Sequence, residues 1–199
     1  MSADGEPGGG LGLLAGPEEL ARQVARLATV IDAQHPDGVT LVGVLKGAVV
    51  FLADLARALT VPVHLELVAI APYDGAATRT RVVKDLDRPV ADRSTVLVTG
   101  IVDTGLTADF LLRHLRQGGP ASLRVCALAD KRARRLLPVP VDYVAVDAPD
   151  RFLLGYGLDY AGRYRNVAGL WCGDGDELAA DPDCYVDRLY RGHALGGRR

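Results

Sequence analysis

The segment VLVTGIVDTGLT, Val96 to Thr107, runs from a hydrophobic stretch into an Asp-Thr-Gly-x-Thr turn that opens a helical pattern. Consecutive backbone N–H groups at a helix N-terminus can cradle a phosphate, and the Thr104 and Thr107 hydroxyls add donors. Gly105 permits close backbone approach. Asp103 stands where a carboxylate can exchange a proton with a reacting base. The same residues also fit an ordinary strand–turn–helix with an Asp cap.

Other residues could do chemistry. Lys46–Gly47 ends one apolar run and precedes a helix, so its backbone amides can meet a diphosphate; a solvated lysine is the plainer alternative. Lys131, at the end of another run, can donate to a carbonyl oxygen. Phe152 can stack on a planar ring. Asp159 can hold a hard cation such as Mg²⁺ through water, and Arg165 can grip a phosphate in a bidentate contact. Taken singly, each also has a surface or core reading.

Short apolar runs must position these groups. Pro17-Glu18-Glu19 reads as a helix start, and Leu20, Val24, Leu27 and Ile31 follow at helical spacing until His35–Pro36. Val39–Leu45, Thr95–Thr99, Leu123–Leu128 and Tyr143–Val146 are nearly continuous apolar runs, as in strands buried on both faces. Val63–Ile70 reads as a further strand. Helices are expected at Ala48–Leu59 and Ala108–Gln117, Gly100–Thr107 reads as a turn, and Pro72–Asp92 reads as a long functional loop with room for a hairpin. Alternating strands and helices imply an α/β fold with a mostly parallel sheet, which binds ligands beyond the carboxyl ends of its strands.

Composition narrows the class. The chain has 199 residues, 49% of them hydrophobic, and a net charge of −2 from 23 basic and 25 acidic residues. That fits one domain with a real core and gives no footprint of a nucleic-acid binder. Residues 1–16 are Gly-rich and are expected to be disordered, 17–180 to form the domain, and 181–199 to be a tail. No apolar run reaches the ~20 residues of a spanning helix, and the acidic start is wrong for a secretory signal. Cys126, Cys172 and Cys184 suggest no disulfide framework, so a cytoplasmic setting is expected. His35, His64, His114 and His193 lack metal spacing and are expected on the surface or on helices. Cys126 reads as a core thiol, and Trp171 as either core or pocket wall.

Several motifs in order carry a resemblance: VGVLKGAVVFLADL (Val42–Leu55), VVKDLDRPV (Val82–Val90), VLVTGIVDTGLT, ALADKR (Ala127–Arg132), VDYVAVDAPDRFLLGYGLDY (Val141–Tyr160) and YRN (Tyr164–Asn166). The chain resembles the 6-oxopurine (hypoxanthine–guanine) phosphoribosyltransferases. That resemblance implies a type I phosphoribosyltransferase fold, a parallel sheet flanked by helices with a small hood. It implies transfer of the phosphoribosyl group of phosphoribosyl pyrophosphate (PRPP) to hypoxanthine or guanine with Mg²⁺, in a homodimer or homotetramer. Carried over by position, Lys46 and Gly47 bind pyrophosphate, often through a non-proline cis peptide, and Thr104, Gly105, Leu106 and Thr107 hold the 5′-phosphate. Asp103 is the acid–base group at N7. Lys131 contacts O6, Phe152 stacks on the base, Leu153 contacts its exocyclic edge, Asp159 supports Mg²⁺, Arg165 contacts pyrophosphate and Tyr73 belongs to the closing loop.

Two departures stand out. The resemblance implies adjacent acids, for the ribose hydroxyls, where this chain has Thr99-Gly100, and a Ser before Tyr73 where it has Pro72. Three readings follow: an active enzyme of this class, a transferase of the same chemistry with an altered donor or base, or a non-catalytic nucleotide-binding or regulatory protein.

Overall fold

The computed structural model describes residues 10–71 and 81–191. It divides into two compact units, Glu18–Asp150 and a second made of Met1–Pro17 with Arg151–Arg199. Tyr73, Pro72 and most of the polar half of the expected loop lie outside the described residues, as does His193.

The larger unit is built on a six-stranded sheet. Helix α1 (Pro17–Gln34) buries Leu20, Val24, Leu27, Ala28 and Ile31, one face at helical spacing. Strand β2 (Val39–Val44) is buried at every position. It is followed by α2 (Val49–Ala58), β3 (Val63–Ile70), β4 (Val82–Lys84), β5 (Ser94–Val102), α3 (Leu106–Gln117), β6 (Ser122–Asp130), a 3₁₀ turn at Arg132–Arg134, and β7 (Tyr143–Asp147). The strand order is β4-β3-β2-β5-β6-β7. All neighbours are parallel except β4, which pairs antiparallel with β3 as a hairpin partner.

Counting only the parallel strands, the order is second-first-third-fourth-fifth, that of a doubly wound sheet with one switch point between β2 and β5. There the connections leave towards opposite faces and open a crevice at the carboxyl ends. Pairing of β5 with β2 stops at Val98, whereas pairing with β6 continues to Val102. The end of β5 is thus held on one side only. This also extends the strand: Gly100, Ile101 and Val102, expected in the turn, belong to β5 because Ile101 and Val102 pair with Ala129 and Asp130.

Packing sets where the two connections emerge. Gly43 on β2 has no room for a side chain, since a Cβ would collide with Leu52 Cδ2 of α2. Helix α2 can therefore lie directly on β2, which makes the turn between them short. Helix α3 buries Ala108, Leu111, Leu112 and Leu115 against a core that includes Val42, Val68, Leu97 and Val125.

The second unit is a three-stranded antiparallel sheet, β1 (Gly12–Ala15), β9 (Leu170–Gly173) and β8 (Phe152–Leu154), in the order β1-β9-β8. It adds α4 (Gly175–Ala180) and a π-helical turn at Asp187–Arg191. Two expectations change here. Residues 12–15, expected in a disordered terminus, form a strand because Gly12 and Leu13 pair with Cys172 and Trp171. The segment after Asp181, expected to be a tail outside the domain, places Tyr185 and Leu189 in a core with Leu154, Tyr164 and Leu178. Trp171 packs half-buried against that cluster, the core alternative.

Candidate active site

The crevice at the switch point is flanked by the two turns that the sequence singles out. After β2 the Leu45–Lys46 peptide is cis, the non-proline cis bond the resemblance implied. Leu45 N–H still continues the ladder to Val68 O (2.9 Å), and Ala48 N–H turns back to Val44 O (3.2 Å). Between them, the N–H groups of Lys46 and Gly47 donate to nothing among the described residues, and Lys46 itself is exposed. Free donors at a strand's carboxyl end suit an anion.

After β5, Asp103 and Thr104 lead into Gly105, which occupies the left-handed region at φ +88° and caps α3 without any side-chain cap bond. Asp103 is therefore not the helix cap, the plainer alternative its position allowed. Asp109 N–H bonds Gly105 O at 2.9 Å. Upstream of it, the N–H groups from Thr104 to Ala108 make only a long contact, Leu106 N–H to Thr104 Oγ1 at 3.5 Å, among the described residues. These are the orphan donors of a helix start, which carry partial positive charge. A Cβ on Gly105 would stand 2.8 Å from Leu137 O, so only glycine fits.

The loop after β6 holds this turn in place. Leu136 and Leu137 N–H both donate to Thr104 O (2.9 and 3.1 Å). Arg135 Nε donates to Asp103 O at 3.1 Å, and another Arg135 nitrogen donates to the buried Asp130 carboxylate. Lys131 N–H reaches Val102 O (3.0 Å), which aligns the ends of β5 and β6.

Asp103 and Lys131 thereby meet. Lys131 Nζ lies 3.9 Å from Asp103 Oδ2; its side chain is 9% exposed and that of Asp103 39%. That separation is too long for a hydrogen bond, so an acceptor and a donor stand side by side without saturating one another. The other carboxylate oxygen, Oδ1, accepts from Arg134 Nε at 2.7 Å, and Arg134 Nη1 also donates to Asp150 at 3.0 Å. The hydrogen bond to Asp150, with the charge of Asp103, raises the guanidinium's pKa further. Sequence reasoning misses Arg134, Arg135 and Asp150; the basic run KRARR directly after β6 is the one local signal for the two arginines, and Asp150 has none.

Thr99 and Gly100 are buried at the end of β5, beyond the last β2 pair. Thr99 Oγ1 makes only a 3.4 Å contact to Ile101 O, so this stretch of wall is uncharged.

In the second unit, Leu153 is 2% exposed and paired through the backbone with Cys172, while Phe152 at the strand's start is half-buried against Tyr160, edge to face at 5.1 Å. The GYGLDY segment that follows turns tightly: Gly155, Tyr156, Gly157, Ala161, Gly162 and Tyr164 all have positive φ. At Gly155 a Cβ would collide with Gly169 O. The turn presents Asp159 and Arg165 as a pair, Nη2 to Oδ1 at 2.7 Å, with Gly162 N–H on Oδ2 at 2.8 Å and Arg165 Nη1 on Gly157 O at 2.8 Å.

Cys126 and the described histidines also find their places. Cys126 is fully buried, and burial pushes its thiol pKa far up. His64 is exposed on β3, and His114 on α3 contacts Asp85 at 2.9 Å. His35 corrects the surface expectation: it is 5% exposed, 3.3 Å from Tyr143 Oη in the core.

Comparison with known proteins agrees with this geometry. The family described as phosphoribosyl transferase domain matches residues 13–161. A hypoxanthine-guanine phosphoribosyltransferase of Mycobacterium avium is 38% identical over 172 residues, 81% of this chain and 85% of that protein. The crystal structure of a hypoxanthine-guanine phosphoribosyltransferase from Bacillus anthracis superposes with a TM-score of 0.77 at 31% identity, covering 81% of this chain and 95% of that one. The Trypanosoma cruzi hypoxanthine phosphoribosyltransferase, solved in complex with the product IMP, gives a TM-score of 0.78 at 31% identity over 82% of this chain and 94% of its own. The chain belongs to the hypoxanthine-guanine phosphoribosyltransferase family and is a pentosyl-transferring enzyme of type I fold.

Proposed function

We propose that this enzyme joins hypoxanthine or guanine to the ribose of PRPP and releases pyrophosphate, with Asp103 and Lys131 reading the base. The observation that carries the proposal is the 3.9 Å separation of a buried ammonium and a carboxylate oxygen that do not bond to each other. A 6-oxopurine offers a carbonyl oxygen at C6 and a ring N7–H on the same edge of the ring system. Lys131 would donate to O6, while Asp103 Oδ2 would accept from N7–H.

In this reading the N9 lone pair attacks C1′ as the C1′–oxygen bond to pyrophosphate breaks, and pyrophosphate leaves with that electron pair. Positive charge developing on the imidazole ring is relieved as Asp103 takes the N7 proton. The orphan N–H groups of Thr104, Gly105, Leu106 and Thr107 would hold the 5′-phosphate, and those of Lys46 and Gly47 the pyrophosphate. Arg165 would take a pyrophosphate oxygen, Phe152 would stack on the base, and the Leu153 main chain would meet its exocyclic edge. Tyr73 would belong to the loop that shields the reaction.

Mg²⁺ is part of the proposal. No cluster of three or more His, Cys, Asp or Glu among the described residues could hold a metal, but Mg²⁺ is commonly held by one or two carboxylates and the substrate's phosphates. Asp159 fits that role, since each oxygen has one partner and lone pairs to spare. Bound there with pyrophosphate, Mg²⁺ would neutralise charge on the leaving group. A homodimer or homotetramer is the expected assembly, to be read by light scattering. A cytoplasmic setting is supported by three unbridged cysteines.

The test is base selectivity with PRPP and Mg²⁺. Hypoxanthine and guanine should yield nucleotide and pyrophosphate in equal amounts. Adenine, whose amino group cannot accept from Lys131, should be poorer by roughly 10³-fold or more in kcat/KM, as for sites built to bond a missing group. Equal use of adenine would refute the assignment.

A further inference from the structure

We propose that Arg134 is a positioning residue for the reaction: it fixes the rotamer of the Asp103 carboxylate so that Oδ2, and not Oδ1, faces the base. The inference rests on the reading of Asp103 as the group that takes the base proton.

A carboxylate with one bonded oxygen has a defined orientation; one with none rotates about its last bond. Asp103 is more than a third exposed, so packing alone does not set that torsion. Arg134 Nε at 2.7 Å from Oδ1 does. The guanidinium is itself anchored from its other side, since Nη1 donates to Asp150 at 3.0 Å. A planar fork bonded to two separate carboxylates cannot follow one without leaving the other.

The backbone beneath Arg134 is equally constrained. Arg134 ends the 3₁₀ turn, and its N–H donates to Lys131 O at 3.1 Å. Lys131 is tied to Val102 O, one residue before Asp103. On either side of Arg134, Arg132 and Arg135 both bind the buried Asp130 carboxylate. The turn that carries Lys131 to the base thus also carries the arginine that aims Asp103, which couples donor and acceptor in one rigid piece. As an exposed ion pair the contact adds little to stability, so its loss should be read in catalysis and not in melting.

The experiment uses the whole protein, with Arg134→Ala, Arg134→Lys, Asp150→Asn and the Arg134→Ala/Asp150→Asn double variant. Wild-type turnover of hypoxanthine and guanine is measured first. Arg134→Ala should lower kcat by on the order of 10- to 100-fold, as for lost orienting partners, with the melting temperature and the KM for PRPP unchanged. Added guanidinium ion should restore part of the loss. Asp150→Asn should give a smaller fall that disappears in the Arg134→Ala background, and Arg134→Lys should rescue incompletely. Unchanged kcat in Arg134→Ala beside an active wild type overturns the proposal and leaves the base reading standing. A higher kcat would overturn it too, by making the pair a brake. An inactive wild type would defeat the base reading instead. The proposal would then be judged by ¹H–¹⁵N spectra, in which the Arg134 Nε–H should exchange slowly with water and lose that protection in Asp103→Asn; fast exchange in the wild type would overturn it.

Discussion

Gly105→Ala should damage the enzyme more than its single added methyl suggests. Gly105 sits at φ +88°, where an L-residue costs about 1–2 kcal/mol. The new Cβ would also stand 2.8 Å from Leu137 O and 3.0 Å from Arg135 Cδ. The first of these is backbone, so the loop must shift. That loop is held by two N–H bonds to Thr104 O, at 2.9 and 3.1 Å, each worth about 0.5–1.5 kcal/mol. Together the terms give about 2–5 kcal/mol. For a chain of this size that lowers the melting temperature by about 5–15 °C. Gly119→Ala is the control, because its φ of +66° carries the same backbone cost with nothing within 4 Å of the Cβ. It should lose only the first term, about 1–2 kcal/mol. Calorimetry reads both, and initial rates should show the KM for PRPP rising about tenfold or more in Gly105→Ala alone, since the displaced turn carries the orphan donors. Equal melting shifts in the two variants, or an unchanged KM for PRPP, would refute the reasoning that this contact shapes the phosphate turn.

Other expectations follow from the same geometry. Lys131→Ala should lower kcat/KM for hypoxanthine by roughly 10- to 100-fold, the worth of a charge-assisted hydrogen bond, with KM for PRPP unaffected; initial rates decide. Thr99→Glu with Gly100→Asp places two carboxylates on the uncharged wall at the end of β5. Isothermal titration should show PRPP binding at least about tenfold tighter if those acids bond the ribose hydroxyls, and unchanged affinity would remove that account of the departure. Asp85 is held below the ordinary carboxylate range, chiefly by its hydrogen bond with His114 against the opposing cost of burial. A lowered carboxylate adds stability that is complete above its unfolded-state value near ~3.9 and is lost as pH falls through the folded one. Urea unfolding should therefore show Asp85→Asn weaker than wild type at neutral pH, with the gap closing as pH falls through the folded-state value of Asp85.

Much of the larger unit was legible because parallel strands buried on both faces write themselves as apolar runs. Val39–Val44 is buried throughout and Val63–Ile70 begins and ends where expected. The local pattern ends strand β5 at Thr99 because Gly100 looks like a turn residue; the continued pairing to β6 is a tertiary fact that no local pattern carries. Helix α3 begins at Leu106, two residues earlier than expected, because glycine and not a side-chain cap starts it. The second unit was the least legible. GLLA is too short to show a period, and it becomes a strand only because β9, remote in sequence, pairs with it. Tyr185 and Leu189 are buried by contacts of the same kind. Within the site, the chain's own motifs marked Asp103, Lys131 and Gly105. Arg134 stayed hidden in a basic run, where spacing alone does not tell a solvated arginine from one that bridges two carboxylates.

The central claim is that Asp103 and Lys131 act together on a 6-oxopurine at the switch point of the sheet. Its most direct test is the initial rate of IMP formation from PRPP, Mg²⁺ and hypoxanthine, wild type beside Asp103→Asn. The geometry predicts robust turnover in the wild type and a fall of about 10²-fold or more in the variant, the share of a general base, with both proteins equally folded. A variant that keeps the wild-type rate, or a folded wild type that forms no nucleotide from either hypoxanthine or guanine, would contradict it.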